Sequence, residues 1–412
     1  MGNSADVITN PLGGICLMGG SSEDVNAMKW FLERANGGDI LVLRASGSDG
    51  YNAYFYSDMG IAVNSVETIV FNNATAANNS YVQQKIEQTE AIWFAGGDQW
   101  DYISYWRDTP IDSLINIAIT ERNIVIGGTS AGMAIQGKYY FSAENGTITS
   151  NNALANPFNN SMTVSDIPFL ENEYLSNVIT DTHFDNPDRK GRLITFLARI
   201  YTDYGVFGKA IACDEYTAIC IDTEGIARVF AGYPTYDEKA YFVQTNCDLF
   251  TQAPETCSPG VPLTWNLGGE ALKVYKIFGT ATGSNSFDLN NWNTSTGGEW
   301  LQWSANAGSF IEEESDAIIC SSVATEDVLE TIKINIYPNP TSEKIYISSE
   351  QIDLRQCEFT LQNSLGQQVP VVANYLSDRR SEINVIHIER GFYALNITLN
   401  NSQRLIRTFV KQ

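Results

Sequence analysis

Residues 13–245 alternate between short apolar runs and longer stretches that repeat apolar residues at helical spacing, and this alternation limits the fold. A continuous apolar run predicts a buried strand, and a period near 3.6 predicts an amphipathic helix. Strands separated by helices pair in parallel, with helices covering both faces of the sheet. We therefore predict an α/β fold built on a parallel sheet. The predicted strands are Gly14–Met18, Ile40–Ala45, Val66–Phe71, Ala91–Ala95 and Asn123–Ile126, and the predicted helices are Glu23–Arg34, Asn79–Gln88 and about Trp100–Glu121.

The composition and the apolar pattern of the sequence change after residue 245 and again after residue 330. Residues 246–330 are rich in Pro, Gly, Asn, Thr and Trp with a few alternating runs, which predicts a small β-rich extension. Residues 331–412 contain short strand-like segments separated by turn residues at regular spacing, which is typical of a small β-sandwich. We predict three domains, at 1–245, 246–330 and 331–412.

The charge balance excludes one class of partner. The chain has 25 basic and 48 acidic residues and a formal net charge of −23, so phosphate backbones repel it and nucleic acid is not an expected partner. No run of about 18 apolar residues occurs, so no membrane-spanning helix is predicted. The first residues lack the basic and apolar regions of a signal peptide, which leaves a cytosolic protein or one whose signal peptide is absent from this sequence.

The segment Gly128–Gly132 reads Gly-Thr-Ser-Ala-Gly and follows a predicted strand. Gly-x-Ser-x-Gly between a strand and a helix is the pattern of a nucleophile held on a sharp turn. Ser130 would be that nucleophile, and the backbone N–H of Ala131 would stabilise an oxyanion. The alternative is a glycine-rich turn in which the serine caps a helix. The motif alone leaves both interpretations open.

His183 favours the catalytic interpretation. It is the only histidine before the C-terminal region, and it follows a strand-like run. A serine nucleophile needs a base, which is usually histidine, and a carboxylate to orient that base. Spacing does not decide among the candidates for this carboxylate, which are Glu144, Asp181, Asp214 and Glu215.

Two further segments supply candidate binding groups. The backbone N–H of Gly97 would complete the oxyanion hole and Gln99 would bind substrate amides, or else Asp98 simply caps a helix. Arg189 and Arg192 are three residues apart on a predicted helix, so they would hold a substrate carboxylate together, or else form an ion-paired or solvated helix face.

The seven cysteines include no Cys-x-x-Cys pair, which argues against a zinc site. Cys247 and Cys257 flank a short polar loop and would form a disulfide in an oxidising compartment. The predicted chemistry needs no metal ion and no organic cofactor, so none is expected.

Several motifs in order resemble the cyanophycinase-like branch of the S51 serine peptidase family. They are Gly19–Asp24, Gly96–Gln99, Gly127–Gly132, Asp181–Phe184, Gly191–Leu193 and Asp214–Ala218, and the resemblance covers about residues 13–245. It implies a fold similar to class I glutamine amidotransferases, with Ser130 as nucleophile and His183 as base. In that family the acid lies between these two in the chain, which selects Glu144. The resemblance also implies cleavage of unusual aspartyl peptides, substrate contacts from Asp98, Gln99, Asp181, Thr182, Arg189 and Arg192, and a homodimer.

One departure from the family pattern bears on the substrate. Cyanophycinases have three arginines after the His-Phe pair, and here Pro187 occupies the first of these positions. The resemblance therefore leaves open whether cyanophycin itself is a substrate, and the insertion-like stretch Asn151–Asn172 is expected to reshape the pocket.

The end of the chain resembles a type IX secretion C-terminal sorting domain, a module of Bacteroidetes. The matching segments are Tyr337–Thr341, Leu365–Gln367, Gly391–Tyr393 and Phe409–Gln412. The resemblance implies the secretion machinery as a partner and a secreted or cell-surface location, where a Cys247–Cys257 disulfide would form. The alternative is an ordinary β-sandwich.

Together these patterns predict a secreted serine peptidase that hydrolyses amide bonds next to aspartyl residues through a Ser-His-Glu triad and an acyl-enzyme. Two other functions fit part of the pattern. An α/β-hydrolase-type esterase shares Gly-x-Ser-x-Gly, and a surface-displayed binding protein could retain the fold with an inactive site.

Overall fold

The computed structural model describes residues 1–249, 251–316, 334–349, 351–363, 367–398 and 404–412. The chain forms two compact units, Met1–Cys320 and Ser321–Gln412. The strands of the first unit are β1 (Ile15–Met18), β2 (Asp39–Arg44), β3 (Ser65–Val70), β4 (Ala91–Phe94), β5 (Val125–Thr129), β6 (Tyr140–Phe141), β7 (Val164–Ser165), β8 (Val178–Asp181), β9 (Lys209–Cys213), β10 (Ala218–Ile221), β11 (Ile226–Tyr233), β12 (Lys239–Thr245), β13 (Leu272–Phe278), β14 (Asn285–Asp288), β15 (Ser295–Thr296), β16 (Gly298–Asn306) and β17 (Ser309–Glu314). Its α-helices are α1 (Val25–Arg34), α2 (Gly50–Ala53), α3 (Ser80–Gln88), α4 (Gln99–Trp106), α5 (Pro110–Thr120), α6 (Ala131–Ala134), α7 (Ser150–Ala155) and α8 (Lys190–Tyr204).

Two large sheets organise the first unit. Within the described residues, one sheet has the strand order β15-β14-β11-β10-β1-β5-β4-β2-β3, and the other has the order β17-β16-β13-β12-β9-β8. Strands β1, β5, β4, β2 and β3 are mutually parallel, which confirms the predicted α/β fold with a parallel sheet. Antiparallel strands extend this parallel core, so the complete sheet is mixed. In the second sheet β8 and β9 are parallel.

Helix α1 shows how the sequence builds these layers. The Asp24 side chain accepts hydrogen bonds from the backbone N–H groups of Asn26 and Ala27, which caps the helix. The helix buries one apolar face, including Phe31 and Leu32, against the sheet. Burial of such side chains contributes about 1.5–3 kcal/mol each.

The single helix predicted over about Trp100–Glu121 is wrong, because the chain forms α4 and α5 with a break between them. Asp108 has a left-handed backbone with φ 59°. Thr109 is extended because Pro110 follows it, and Pro110 then occupies the first turn of α5.

The sequence predicts a separate β-rich extension over residues 246–330, but its described residues 246–249 and 251–316 contribute strands to both sheets of the first unit. Strands β14 and β15 continue the first sheet beyond β11, and β13, β16 and β17 continue the second beyond β12. The buried side chains of this range belong to the same hydrophobic clusters as the earlier strands. They therefore complete the fold of the first unit.

The predicted Cys247–Cys257 disulfide is wrong. Cys257 carries a free thiol, whereas Cys247 takes part in a disulfide with another residue. Thr256, which precedes Cys257, pairs with Thr264 through two backbone hydrogen bonds. Among the described helices, none combines the length and apolar character that crossing a membrane requires.

The second unit contains small antiparallel sheets, as predicted for a β-sandwich. Its strands are β18 (Ile334–Tyr337), β19 (Lys344–Ser349), β20 (Glu358–Asn363), β21 (Gln368–Val369), β22 (Ala373–Ser377), β23 (Arg380–Asn384), β24 (Gly391–Thr398) and β25 (Arg404–Lys411). One sheet has the order β18-β19-β23-β22 and the other β21-β20-β24-β25. Alternate residues of both sheets, such as Ile345, Ile347, Leu395 and Ile397, meet in one buried cluster.

Candidate active site

Ser130 lies at the turn between β5 and α6, at the carboxyl end of the parallel strands. Its backbone angles are φ 53° and ψ −114°, a conformation that L-residues rarely adopt. The Ser130 N–H donates to the carbonyl of Met18 at 3.0 Å, and its carbonyl accepts from the N–H groups of Met133 and Ala134. These contacts hold the strained turn that a nucleophile elbow requires. Helix α6 is only four residues long, so the turn itself, rather than a long helix dipole, shapes the site.

Glycines make this turn sterically feasible. A Cβ atom at Gly132 would lie 2.1 Å from the Phe94 carbonyl oxygen, and one at Gly128 would lie 2.6 Å from the Gly132 backbone. Gly20, at the end of β1, has φ 121°, and a Cβ there would lie 2.3 Å from the His183 ring. The glycine pair after β1 therefore makes room for the candidate base.

The structure places His183 between Ser130 and Glu215. The imidazole Nε2 lies 2.8 Å from the Ser130 Oγ, and Nδ1 lies 2.6 Å from the Glu215 Oε1. Glu215 directly follows the residue after β9, and its backbone N–H donates to Asp185. Hydrogen bonding from His183 holds the pKa of Glu215 below its ordinary value. This geometry is that of a nucleophile, a base and an orienting acid.

The structure contradicts the choice of Glu144 as the third member. Glu144 is exposed, and its backbone N–H donates to the Ser142 hydroxyl at 3.3 Å. Glu215, one of the four carboxylates that spacing alone left open, occupies the position instead. The expectation that the acid lies between Ser130 and His183 in the chain selected the wrong carboxylate. Strands β8 and β9 are adjacent and parallel, so the residues that follow them, His183 and Glu215, lie close together.

The candidate oxyanion donors lie at the same cleft. Gly97 and Ala131 both line it, together with Ser130 and His183. Neither the Gly97 N–H nor the Ala131 N–H donates a hydrogen bond to any residue that the structure describes. Both donors are thus available to a ligand, as an oxyanion hole requires.

The two candidate arginines have different environments. Both carboxylate oxygens of Asp181 contact the Arg192 guanidinium, with 2.9 Å between Nε and Oδ2. Both side chains are only 4% exposed. A buried, bidentate pair of this kind is already satisfied, so Asp181 and Arg192 hold β8 and α8 together. Arg192 also lines the cleft, so its part in holding a substrate carboxylate with Arg189 stays a prediction. Both oxygens of Asp181 are engaged by Arg192, which argues against the predicted contact of Asp181 with substrate.

Arg189 lines the cleft as Arg192 does, and it makes fewer hydrogen bonds than Arg192 to the residues that the structure describes. One of its amino groups donates to the Thr182 carbonyl at 2.8 Å and lies 4.0 Å from Asp181. Burial, and then the nearby charge of Arg192, lower the pKa of Arg189 to about 10, so it stays charged at neutral pH. Its guanidinium has five N–H donors, which leaves several for an anionic ligand.

Asp98, Gln99 and Thr182 also line the cleft, whose volume is about 410 Å³. Asp98 is exposed and caps α4 through a 2.9 Å bond from the Trp100 N–H, so the capping alternative is correct for its side chain. The Gln99 amide lies 3.4 Å from the Phe141 carbonyl. In the described part of the chain, no cluster of three or more His, Cys, Asp and Glu side chains could hold a metal ion.

Asp214 is a buried carboxylate beside the candidate acid. It is 3% exposed, one oxygen accepts the Lys239 N–H at 3.1 Å, and the other has no partner among the described residues. Burial, and then the charge of Asp185, raise the pKa of Asp214 to about 7. Sequence patterns gave no signal for this environment, because it depends on the packing of β9 against β12.

Replacing Asp214 with asparagine should therefore change how stability depends on pH. A raised pKa means that the folded state holds a proton that the unfolded state loses above pH 4, so wild-type stability falls as the pH rises from about 4 to 7. The Asp214→Asn variant should lack this fall, and its free energy of unfolding should gain roughly 2–4 kcal/mol on the wild type across that window. Urea unfolding at several pH values measures the difference, and parallel curves for the two proteins would contradict the assignment.

Comparisons with known proteins find similarity in two parts of the chain. Residues 44–227 match the model of peptidase family S51, and residues 335–412 match the model of the secretion system C-terminal sorting domain. A cyanophycinase of Trichormus variabilis is 26% identical over 192 residues, which cover 46% of this chain and 58% of that protein. A cyanophycinase of Geminocystis herdmanii is 31% identical over 116 residues, which cover 28% of this chain and 39% of that protein. The matched part of the chain thus spans between 39% and 58% of the length of these two relatives.

Among solved structures, a peptidase from an acI-B1 Actinobacterium aligns with a TM-score of 0.41 and 14% identity, covering 56% of this chain and 91% of that chain. The two resemblances predicted from motifs are confirmed in the ranges that the family models match. Residues 44–227 are thus similar to peptidase family S51, and residues 335–412 are similar to the secretion system C-terminal sorting domain.

Proposed function

We propose that this chain is a secreted serine peptidase that hydrolyses an amide bond next to an aspartyl residue. The observation that carries the proposal is the continuous contact from the Ser130 Oγ through the His183 imidazole to Glu215, with distances of 2.8 and 2.6 Å. The strained backbone of Ser130 supports it, because such strain persists where function requires it.

Each group at the site has a defined role in the proposed reaction. His183 takes the hydroxyl proton of Ser130 at Nε2 as the Oγ attacks the substrate carbonyl. The Glu215 carboxylate accepts a hydrogen bond from the Nδ1–H of His183 and stabilises the imidazolium that forms. The N–H groups of Gly97 and Ala131 stabilise the negative oxygen of the tetrahedral intermediate. His183 then protonates the leaving amine, and water hydrolyses the acyl-enzyme with His183 again as base.

The preference for aspartyl residues rests on charge. Arg189 is the cleft-lining arginine whose guanidinium makes a single hydrogen bond within the described residues, and a charged guanidinium favours a carboxylate ligand. Two of the similar proteins are cyanophycinases, and the family comparison supports a peptidase. The sorting domain supports export by a type IX system to the surface or the medium, with the secretion machinery as partner.

A panel of matched peptides tests the proposal. Peptides with an α-aspartyl, β-aspartyl or asparaginyl residue before the same leaving group should be compared with simple esters, alongside labelling by a fluorophosphonate probe. We expect labelling at Ser130 and faster cleavage of an aspartyl peptide than of its asparaginyl counterpart. Ester turnover without peptide cleavage would instead indicate an esterase, and no labelling at any pH would indicate an inactive binding protein.

Replacing Arg189 with methionine should weaken binding of the aspartyl substrate. A charge-assisted hydrogen bond contributes about 1.5–3 kcal/mol, so KM for the aspartyl peptide should rise about 10- to 100-fold while KM for the asparaginyl peptide changes little. Arg228→Met, at an exposed position of β11, is the matched control. Equal KM changes for both peptides would show that Arg189 does not recognise the carboxylate.

A further inference from the structure

Strands β16 and β17, which lie outside the S51 family match, reach the segment that carries the candidate base. The segment runs from His183 to Arg189, between β8 and α8. Phe184 is the residue of this segment that packs into the hydrophobic core, and its side chain is 1% exposed. The Phe184 N–H donates to the Cys213 carbonyl at 3.3 Å, and its carbonyl accepts from the Arg189 N–H at 3.0 Å. Any shift of Phe184 is thus transmitted to both His183 and Arg189.

The Phe184 ring packs against a tryptophan from β16. Ring centroids of Phe184 and Trp303 are 6.2 Å apart with nearly parallel planes. Tyr241 contacts both rings, at 5.0 Å from Phe184 and 5.7 Å from Trp303. Trp303 is fully buried, so its position is fixed by this cluster. Aromatic contacts of this kind contribute about 0.5–1.5 kcal/mol beyond burial and restrict ring orientation.

Glu312 of β17 ties the same tryptophan to the start of α8. It is the cross-strand partner of Trp303, and its Oε2 accepts the indole N–H at 2.8 Å. Its Oε1 lies 3.0 Å from the Lys190 ammonium group. Lys190 directly follows Arg189, so one carboxylate orients the indole and also contacts the residue beside the cleft cation.

We propose that Trp303 and Glu312 are positioning residues, which hold the segment from His183 to Arg189 so that the base and the cleft cation stay in place. The proposal rests on the proposed function for its catalytic consequence, but the placement of His183 can be measured without any substrate. It gives residues 246–316 a part in the active site, although they contribute no side chain to the reaction.

Two conservative variants separate positioning from simple packing. Trp303→Phe keeps an aromatic ring but removes the N–H that Glu312 accepts, and Glu312→Gln keeps an acceptor for the indole but removes the charge opposite Lys190. Trp300→Phe in β16 and Glu313→Gln in β17 are matched controls, because Trp300 packs against Tyr275 on the other face and Glu313 contacts Gln302.

Histidine NMR provides the readout that is independent of activity. The chain has only two histidines, so selective ¹⁵N labelling yields imidazole signals from His183 and His387 alone. We expect Trp303→Phe to shift or broaden the His183 signals and leave those of His387 unchanged, while Trp300→Phe leaves both unchanged. Unaltered His183 signals in Trp303→Phe would overturn the proposal whether or not the protein cleaves peptides.

Kinetics give the second readout. We expect Trp303→Phe to lower kcat and the fluorophosphonate labelling rate about 10-fold, because small displacements of a base are costly. We expect Glu312→Gln mainly to raise KM for the aspartyl peptide, about threefold, since exposed ion pairs are weak. Changes no larger than those of the controls, or losses that simply follow a lowered melting temperature, would overturn the positioning role. A wild type that is neither labelled nor active would reject the proposed function while the NMR result still decides the placement.

Discussion

Replacing Ser130 with alanine is expected to lower kcat for the preferred peptide by roughly 10⁴- to 10⁶-fold, with little change in KM. The Ser130 Oγ is the atom 2.8 Å from the His183 Nε2, and alanine removes it without adding bulk to the turn. The backbone strain at φ 53° is the same for both residues, so the free energy of unfolding should barely change. Steady-state kinetics, denaturant unfolding and labelling followed by intact-mass measurement check these three expectations.

Ser46→Ala is the matched control for this experiment. Ser46 also lines the cleft, but it lies outside the contact from Ser130 to Glu215. This variant should keep most of the activity and all of the labelling. Labelling that persists in Ser130→Ala, or that disappears in Ser46→Ala, would show that the nucleophile is a different residue.

The sequence predicted the parts of the fold and site that depend on local patterns. Five consecutive residues and the apolar run before them indicate the strand-turn-helix context of Ser130, so the turn could be located from the sequence alone. The parallel core followed from alternating strands and helices for the same reason. His183 could be singled out because the first 330 residues contain no other histidine.

Features that depend on which strands become neighbours could not be predicted in this way. The sequence showed charged residues at 144, 181, 189, 192 and 215, but not that Asp181 would meet Arg192 in a buried pair. It showed alternating strands after residue 245, but not that Trp303 would reach Phe184. Pairing between distant segments sets these contacts, and short-range periodicity carries no information about it.

The third member of the candidate triad is the most consequential of these differences, and one pair of variants decides it. Glu215→Gln should lower kcat by roughly 10²- to 10⁴-fold, because an amide beside the His183 Nδ1 neither stabilises the imidazolium nor fixes its tautomer. Glu144→Gln should leave kcat within about twofold of the wild type, because Glu144 is exposed and its backbone rather than its carboxylate contacts Ser142. Both substitutions remove one charge and preserve side-chain size.

The pKa of Glu215 makes the comparison informative at acidic pH. Since the His183 hydrogen bond holds this pKa below the ordinary value, Glu215 stays ionised at pH values where a free glutamate would take up a proton. Its support of the imidazole is therefore fully present above the ordinary pKa and is lost only as the pH falls through the depressed one. Protonation of Glu215 should accordingly cause no loss of wild-type activity at pH values near or above the ordinary pKa of a glutamate. A loss in Glu144→Gln as large as that in Glu215→Gln would return Glu144 to the triad and require the loop that carries it to move toward His183 when substrate binds.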